Sequence, residues 1–276
     1  MAMINDFIVS LKTKLTNTKE NIADTYNSKS VLRSLVHKEL FGHYKNSLLG
    51  FGWHFVTPMI LLVVYYVVFS TIREGGLPNF WIFLSSALFP FNFMISNLTA
   101  GSGTIVGNAG MIKKMYFPRE IIVFARVISS FIVMMMGYAV IIVMIILSGY
   151  QLNIESIIML PIFLLLMFLF SIGYCLFFSS LTVYVRDIQY LLNSISIVFY
   201  FMTPMYFEAS SVTGLFGTLI WMNPFTYFVE AYHQIVYFGV IPEAKIIAAC
   251  IILPIVTMII GFAVFNKLKR GFAERL

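Results

Sequence analysis

"ASSVTGLFGTLIWMNPFTYFV", residues Ala209 to Val229, has the length to cross a membrane but is interrupted by Gly214, Gly217, Asn223 and Pro224. Whether it crosses decides the fold, because one extra crossing would put the two ends of the chain on opposite sides of a bilayer.

The surrounding sequence points to lipid as the solvent. Of 276 residues, 60% are hydrophobic, 17% aromatic and only 11% charged, against about a quarter charged in soluble domains. The mean hydropathy is +0.90. Runs of the roughly 20 apolar residues that a spanning helix needs occur at 55–72, 79–99, 121–147, 157–183, 188–207 and 246–266. An all-α polytopic membrane protein with six transmembrane helices is expected.

Charge distribution argues against a seventh crossing at 209–229. With six spans, the lysines and arginines before Trp53 share one side with Lys113, Lys114, Arg119, Arg126, Arg186, Lys267, Lys269, Arg270 and Arg275. Only Arg73 and Lys245 fall on the other. A seventh span would move the basic tail across, against the positive-inside rule. Residues 208–234 are therefore expected to enter from the outer face and turn back as two half-helices broken near Asn223 and Pro224. Such backbone is tolerated at membrane depth only when packed on protein or lining a wet cavity, which hints at a gate.

Three regions make up this layout: a cytoplasmic tail with an interfacial helix at 1–54, the six-span transmembrane domain at 55–266, and a cytoplasmic tail at 267–276. Residues 1–30 carry charges throughout and read as a polar leader, not a cleaved signal. In 31–53, Leu32, Val36, Leu40, Phe41, Tyr44, Leu48 and Phe51 share half a helical wheel. That predicts an amphipathic helix in the inner interface, with Arg33 and His37 intruding on its apolar half. It either anchors the chain or, through Arg33, His37, Tyr44, Lys45 and Trp53, guides a lipid-linked substrate toward a way in between helices.

The first inner loop, "GNAGMIKKMYFPRE" (Gly107–Glu120), concentrates positive charge. Pro118 suits the first position of the next helix, where a missing N–H costs nothing, and Glu120 favours a helix N-terminus. Its wording, "IKKMYFPRE", resembles the signature of type-2 ATP-binding-cassette exporter permeases of the polysaccharide, O-antigen and teichoic-acid group. "HYKNSLLGFGWHFVTP" (His43–Pro58), "YVRD" (Tyr184–Asp187), "TPMYF" (Thr203–Phe207) and "NPFTYFVEAYHQ" (Asn223–Gln234) resemble the same family in the same order, and the last two resemble its fifth-span exit and outer gate helices, which implies an outer gate at Tyr206, Asn223, Pro224, Glu230 and His233. Thr182 stands where such permeases often carry Asn.

The resemblance implies that 107–118 is a coupling helix docking in a cleft of a separate ATPase. Met111, Tyr116 and Phe117 would fill the cleft, Lys113, Lys114 and Arg119 would line its rim, and Pro118 and Glu120 would begin the span that carries the motion. Arg186 and Asp187 would steady the second inner loop. It also implies a second copy of the chain, two ATPase subunits, a lipid-linked glycan as cargo, and a prokaryotic cytoplasmic membrane with both termini inside.

No G-x-x-x-x-G-K-[ST] phosphate loop is present, so no cofactor is expected on this chain. ATP and magnesium belong to the partner. No metal site and no nucleic-acid binding are expected either. Cys175 and Cys250 both fall inside apolar runs, where a cysteine acts as a small hydrophobe.

Three other functions compete with this one. Ion-coupled transport needs ionisable groups within spans, yet Arg126, Glu155, Arg186, Asp187 and Glu208 sit at predicted ends. A membrane-embedded transferase would have Glu230 and His233 as its nearest acid–base pair, on a face without a nucleotide donor. A related permease exporting a lipid or small molecule stays open. Tyr65, Tyr66, Phe199 and Tyr200 are candidates to line the path, because sugar C–H faces stack on rings while hydroxyls meet Tyr hydroxyls.

Overall fold

The computed structural model describes residues 29–42, 47, 49–72, 77–115 and 117–276. Tyr44, Lys45, Leu48, Arg73 and Tyr116, named above, lie outside the described residues, as does most of the polar leader. Every regular element among the described residues is helical. The principal helices are α1 (Lys29–Phe41), α2 (Trp53–Ile72), α3 (Phe80–Ser102), α4 (Ala109–Lys114), α5 (Glu120–Leu147), α6 (Leu160–Tyr184), α7 (Asp187–Met202), α8 (Gly214–Met222), α9 (Pro224–Tyr232) and α10 (Ala244–Leu268).

Four stretches are long and apolar enough to cross a bilayer: Phe80–Ser102, Glu120–Leu147, Ile154–Tyr184 and Ala244–Arg275. The chain is a multi-pass membrane protein. The 20-residue α2 is a further long apolar helix. α7 has only 16 residues and stops at Met202, short of the expected 188–207. The cause is Pro204, which disfavours helical geometry at the residue before it; Thr203 is accordingly extended (φ −88°, ψ 130°).

α3 is the axis of the bundle. It is buried along most of its length and is contacted by α2, α5, α6, α7 and α9. Its polar residues are satisfied within the fold, as a site without water demands. Ser86 Oγ donates to the Phe83 carbonyl (2.7 Å) and Asn97 Nδ2 to the Phe93 carbonyl (2.9 Å). Pro90 lacks the N–H that would reach the Ser86 carbonyl, and the Tyr138 hydroxyl of α5 donates to that oxygen instead (3.1 Å). In contrast, α5 and α10 leave broad apolar faces exposed, including Val143, Ile146, Ile255 and Ile259, as helices facing lipid should.

The tightest helix crossing is α6 on α10. A Cβ built on Gly261 would stand 2.1 Å from the Gly173 carbonyl oxygen, so only glycine permits this approach.

α1 differs in its seating from the wheel reading. Its buried centre is Leu35, flanked by half-buried Val31, Leu32, Val36 and Glu39, while Phe41 is 46% exposed. The face turned inward is set by packing against α5, and it brings Leu35 and Glu39 in beside Leu32 and Val36 while leaving Phe41 outside.

Candidate functional site

Two ends of the bundle carry the expected functional residues. At the basic end, the expected coupling helix over 107–118 is shorter in the structure. Helix α4 ends at Lys114 and the chain becomes extended at Met115 (φ −129°, ψ 139°). Pro118, four positions on from the last helical residue, could not have continued the helix, since it lacks the N–H that would reach the Lys114 carbonyl. The helical turn resumes from Pro118, whose carbonyl accepts from the Ile121 N–H (3.2 Å).

Side-chain directions divide the stretch in two. Lys113, Lys114 and Met115 are exposed. Met111 and Phe117, expected to fill a partner's cleft, instead pack against the chain's own core beside buried Ile112. Met115 is the outward apolar residue, at 55% exposure. Sequence reading missed it because Met111, Phe117 and Met115 are chemically alike and only the α4 break tells them apart. Lys113, Lys114 and Met115 line a shallow recess together with Ile112, Phe117 and Arg119.

Arg119 and Glu120 also turn inward. Glu120 is 2% exposed and pairs with Lys269, while Arg119 donates to the Lys269 backbone carbonyl and sits 5.9 Å from the centre of the Phe272 ring. The short helical turn Phe272–Arg275 thereby closes against Arg119 and Glu120, with buried Phe272 edge-on to Phe265 at 5.4 Å. Arg275 lies 5.4 Å from the Tyr184 ring, and the Tyr184 hydroxyl donates to the Leu268 carbonyl (3.0 Å). From the other flank, Lys38 Nζ of α1 donates to Asn108 Oδ1 (2.9 Å). Arg33 and His37 are exposed, and the His37 ring meets Phe41 at 4.7 Å. Trp53 donates through its indole N–H to Ser47 Oγ (2.8 Å).

Arg186 and Asp187 form an exposed tight turn between α6 and α7, with Asp187 in the first turn of α7, where a negative charge suits the helix dipole. Beside it, a Cβ on Gly103 would come within 2.6 Å of Gln189. The two loops of the basic end thus pack against each other through α7.

At the opposite end, the break between α8 and α9 is capped on both sides. Asn223 Oδ1 accepts from the Phe225 N–H (3.0 Å), Pro224 takes the first helical position, and Asn223 Nδ2 donates to Thr203 Oγ1 (2.8 Å). Thr226 and Tyr227 hydroxyls donate to the carbonyls of Ile220 and Trp221. Beyond α9 the chain widens into a π-helical turn, His233–Tyr237. His233 is fully buried and stacked on Phe83 (3.8 Å between ring centres), and its Nδ1 lies 3.9 Å from Glu230 Oε2. A side chain so enclosed has no room for a substrate, so the pair is ill suited to acid–base chemistry. Burial pushes the Tyr150 phenol above its usual range in the neighbouring loop, where its hydroxyl donates to the Tyr237 carbonyl.

The four aromatic candidates separate. Tyr200 lines a cavity and donates to Asn92 Oδ1 (2.8 Å). Phe199 packs edge-on to Phe225 of α9 (5.1 Å), Tyr65 edge-on to buried Tyr206 (5.1 Å), and Tyr66 is exposed on α2.

Residues 30–237 match the ABC-2 type transporter family. The chain belongs to that family. This permease is similar to the O-antigen export system permease protein RfbA of Klebsiella pneumoniae, 27% identical over 88% of this chain and 93% of the relative. It is 22% identical to the protein of the same name from Myxococcus xanthus, over 92% and 98% of the two chains. It is 24% identical to the polysialic acid transport protein KpsM of Escherichia coli, over 86% and 93%. The permease is a transport subunit.

Proposed function

We propose that the permease is the transmembrane subunit of an ATP-driven exporter that moves a lipid-linked polysaccharide across the cytoplasmic membrane. The observation that carries this reading is similarity over nearly the whole chain to one protein named for O-antigen export and another named for polysialic acid transport.

α2, α3, α5, α6, α7 and α10 supply six spans, with α8 and α9 as a re-entrant outer gate. Both termini lie in the cytoplasm, which puts the basic end inside. Two copies form the path about a two-fold axis, and two ATPase subunits hold ATP and magnesium. Lys113, Lys114 and Met115 meet the ATPase. Arg119 and Glu120 transmit its motion through their bonds to the C-terminal turn.

The test is to purify the tagged permease from its native membrane with whatever binds it stoichiometrically, then reconstitute it. An equimolar ATPase and ATP-dependent appearance of lipid-linked glycan on the far side of proteoliposomes are expected. A homomeric preparation with no ATPase would overturn the reading.

A further inference from the structure

A cavity of about 450 Å³ lies between α1, α2, α3, α5 and α7. Its wall is graded. Glu39, Arg126 and Thr99 stand at the basic end, Ser96, Ser129 and Ser130 follow, and Asn92, Tyr200, Phe89 and Met134 lie deeper. The deeper groups sit about 10 Å further in, seven residues before Thr99 on α3 and eight after Arg126 on α5 at 1.5 Å per residue. Trp53 and Thr57, in the α2 wall, are exposed, so the cavity reaches the surface of the bundle beside α1.

Arg126 is the notable member. Its side chain is 19% exposed and pairs with Glu39 by one arm, Nη1 to Oε2 at 3.2 Å. Its Nε is buried and has no hydrogen-bond partner. A guanidinium offers five donors in a planar fork that fits a carboxylate or phosphate two bonds at a time. Here the carboxylate takes one arm and leaves much of the fork to the cavity. The hydroxyls around it have spent their protons: Thr99 Oγ1 donates to the Ile95 carbonyl (2.9 Å), Ser129 Oγ to the Arg126 carbonyl (2.9 Å) and Ser130 Oγ to Asn97 Oδ1 (3.0 Å). What they present to a ligand is lone pairs, which accept from hydroxyl groups. The site pairs one cationic fork with a row of acceptors.

We propose that this cavity binds the phosphate ester of a glycosylated amphiphile, with the phosphate on Arg126, the sugar hydroxyls on Ser129, Ser130 and Thr99, and Glu39 as the resident counter-ion that the phosphate displaces. This rests on the exporter reading and locates the group by which the cargo is held. Phosphate outcompetes carboxylate here because it can take two arms of the fork at once, including the Nη1 arm, which is the one that Glu39 holds. α1 is held to α5 by the Glu39–Arg126 pair, so displacement also releases that contact.

Trp53 in the cavity wall supplies the readout. In the permease–ATPase complex carrying Trp81→Phe and Trp221→Phe, Trp53 fluorescence is titrated with brominated phosphatidic acid and, as control, brominated phosphatidylcholine. Quenching by phosphatidic acid is expected at about a tenfold lower mole fraction, the size of a charge-assisted hydrogen bond. Arg126→Gln should abolish the preference, whereas Glu39→Gln should strengthen it by removing the competitor. A polyprenyl phosphate glucose should compete, and millimolar inorganic phosphate should not.

The proposal is overturned if the unsubstituted site shows no preference, if Arg126→Gln retains it, if Glu39→Gln weakens it as Arg126→Gln does, or if inorganic phosphate competes as well as the glycolipid. The titration, the Glu39→Gln variant and both competitors keep the guanidinium, so the test does not depend on Arg126→Gln folding. Glycan export measured in the same preparation separates the two readings. Export without phosphate preference strikes only this site, and preference without export strikes only the exporter.

Discussion

Lys269 pairs with Glu120 across 149 positions of sequence, joining the end of α10 to the first turn of α5. Because Arg119 binds the carbonyl of the same lysine, the start of α5 is tied to the C-terminal turn at two points. Glu120 is almost fully buried, and its second oxygen has no hydrogen-bond partner, so the carboxylate depends on that lysine. Removing one partner of a buried pair costs about 3 kcal/mol, more than replacing both by apolar groups. Lys269→Ala should therefore lower the unfolding temperature in detergent clearly, and the Glu120→Gln, Lys269→Met double variant should recover most of the loss. Equal loss in the single and double variants would rule out a buried-charge penalty.

The exposed surface of the coupling stretch gives a second prediction. Lys113, Lys114 and Met115 contribute little to the permease's own packing, so reversing both lysines or placing Asp at Met115 should leave insertion and thermal stability unchanged. Transport-coupled ATP hydrolysis and co-purification of the ATPase should fall together, by about tenfold for a pair of lost charge contacts and one lost apolar contact. Phe117→Ala should do the reverse, lowering stability first because its ring packs inward. Matching effects from Phe117→Ala and the Met115 variant would mean the division of faces is wrong.

How much of this was legible in the sequence depends on the range of the interaction. The helix break at Asn223-Pro224 follows from local capping chemistry, and it is where the sequence reading puts it. The long apolar helices also follow from local composition, apart from the end of α7, where Pro204 acts one turn early. Nothing local marks the partnership of Lys269 with Glu120 or of Arg126 with Glu39, because those groups meet only once helices distant in sequence pack. The seating of α1 was unreadable for the same reason: Leu35 and Phe41 are equally apolar, and only α5 chooses between them. The family resemblance pointed to the coupling stretch but not to which of its side chains face outward.

Tyr138 and the Ser86 carbonyl offer a sharper test of the interior. Pro90 leaves that carbonyl without a helical donor, and the Tyr138 hydroxyl is the group that reaches it. Tyr138→Phe changes no packing yet strands a buried acceptor, at a cost of about 1–3 kcal/mol. Coupling this change with Pro90→Ala, which restores the backbone N–H, should return most of the stability. Thermal unfolding of the single and double variants measures the difference; a double variant no more stable than Tyr138→Phe alone would show that the hydroxyl is not substituting for the missing amide.

The last prediction concerns Asn223, whose side chain serves two helices at once. Its oxygen caps α9 and its amide reaches Thr203 just after α7, so this residue links the proposed outer gate to the span beside it. Asn223→Ala removes both bonds; losing an N-cap costs about 1 kcal/mol, which is about fivefold in a local opening equilibrium. Asn223→Asp keeps the cap, and the Thr203 hydroxyl can turn to donate to the new carboxylate. Thr203→Val keeps the cap as well but strands the amide. Hydrogen exchange across 224–232 should therefore accelerate most in Asn223→Ala, less in Thr203→Val and least in Asn223→Asp. If Thr203→Val exchanges as slowly as the unsubstituted permease, the tie to α7 carries no weight, and the gate is held shut by the packing of Phe225 against Phe199 and Phe170 alone.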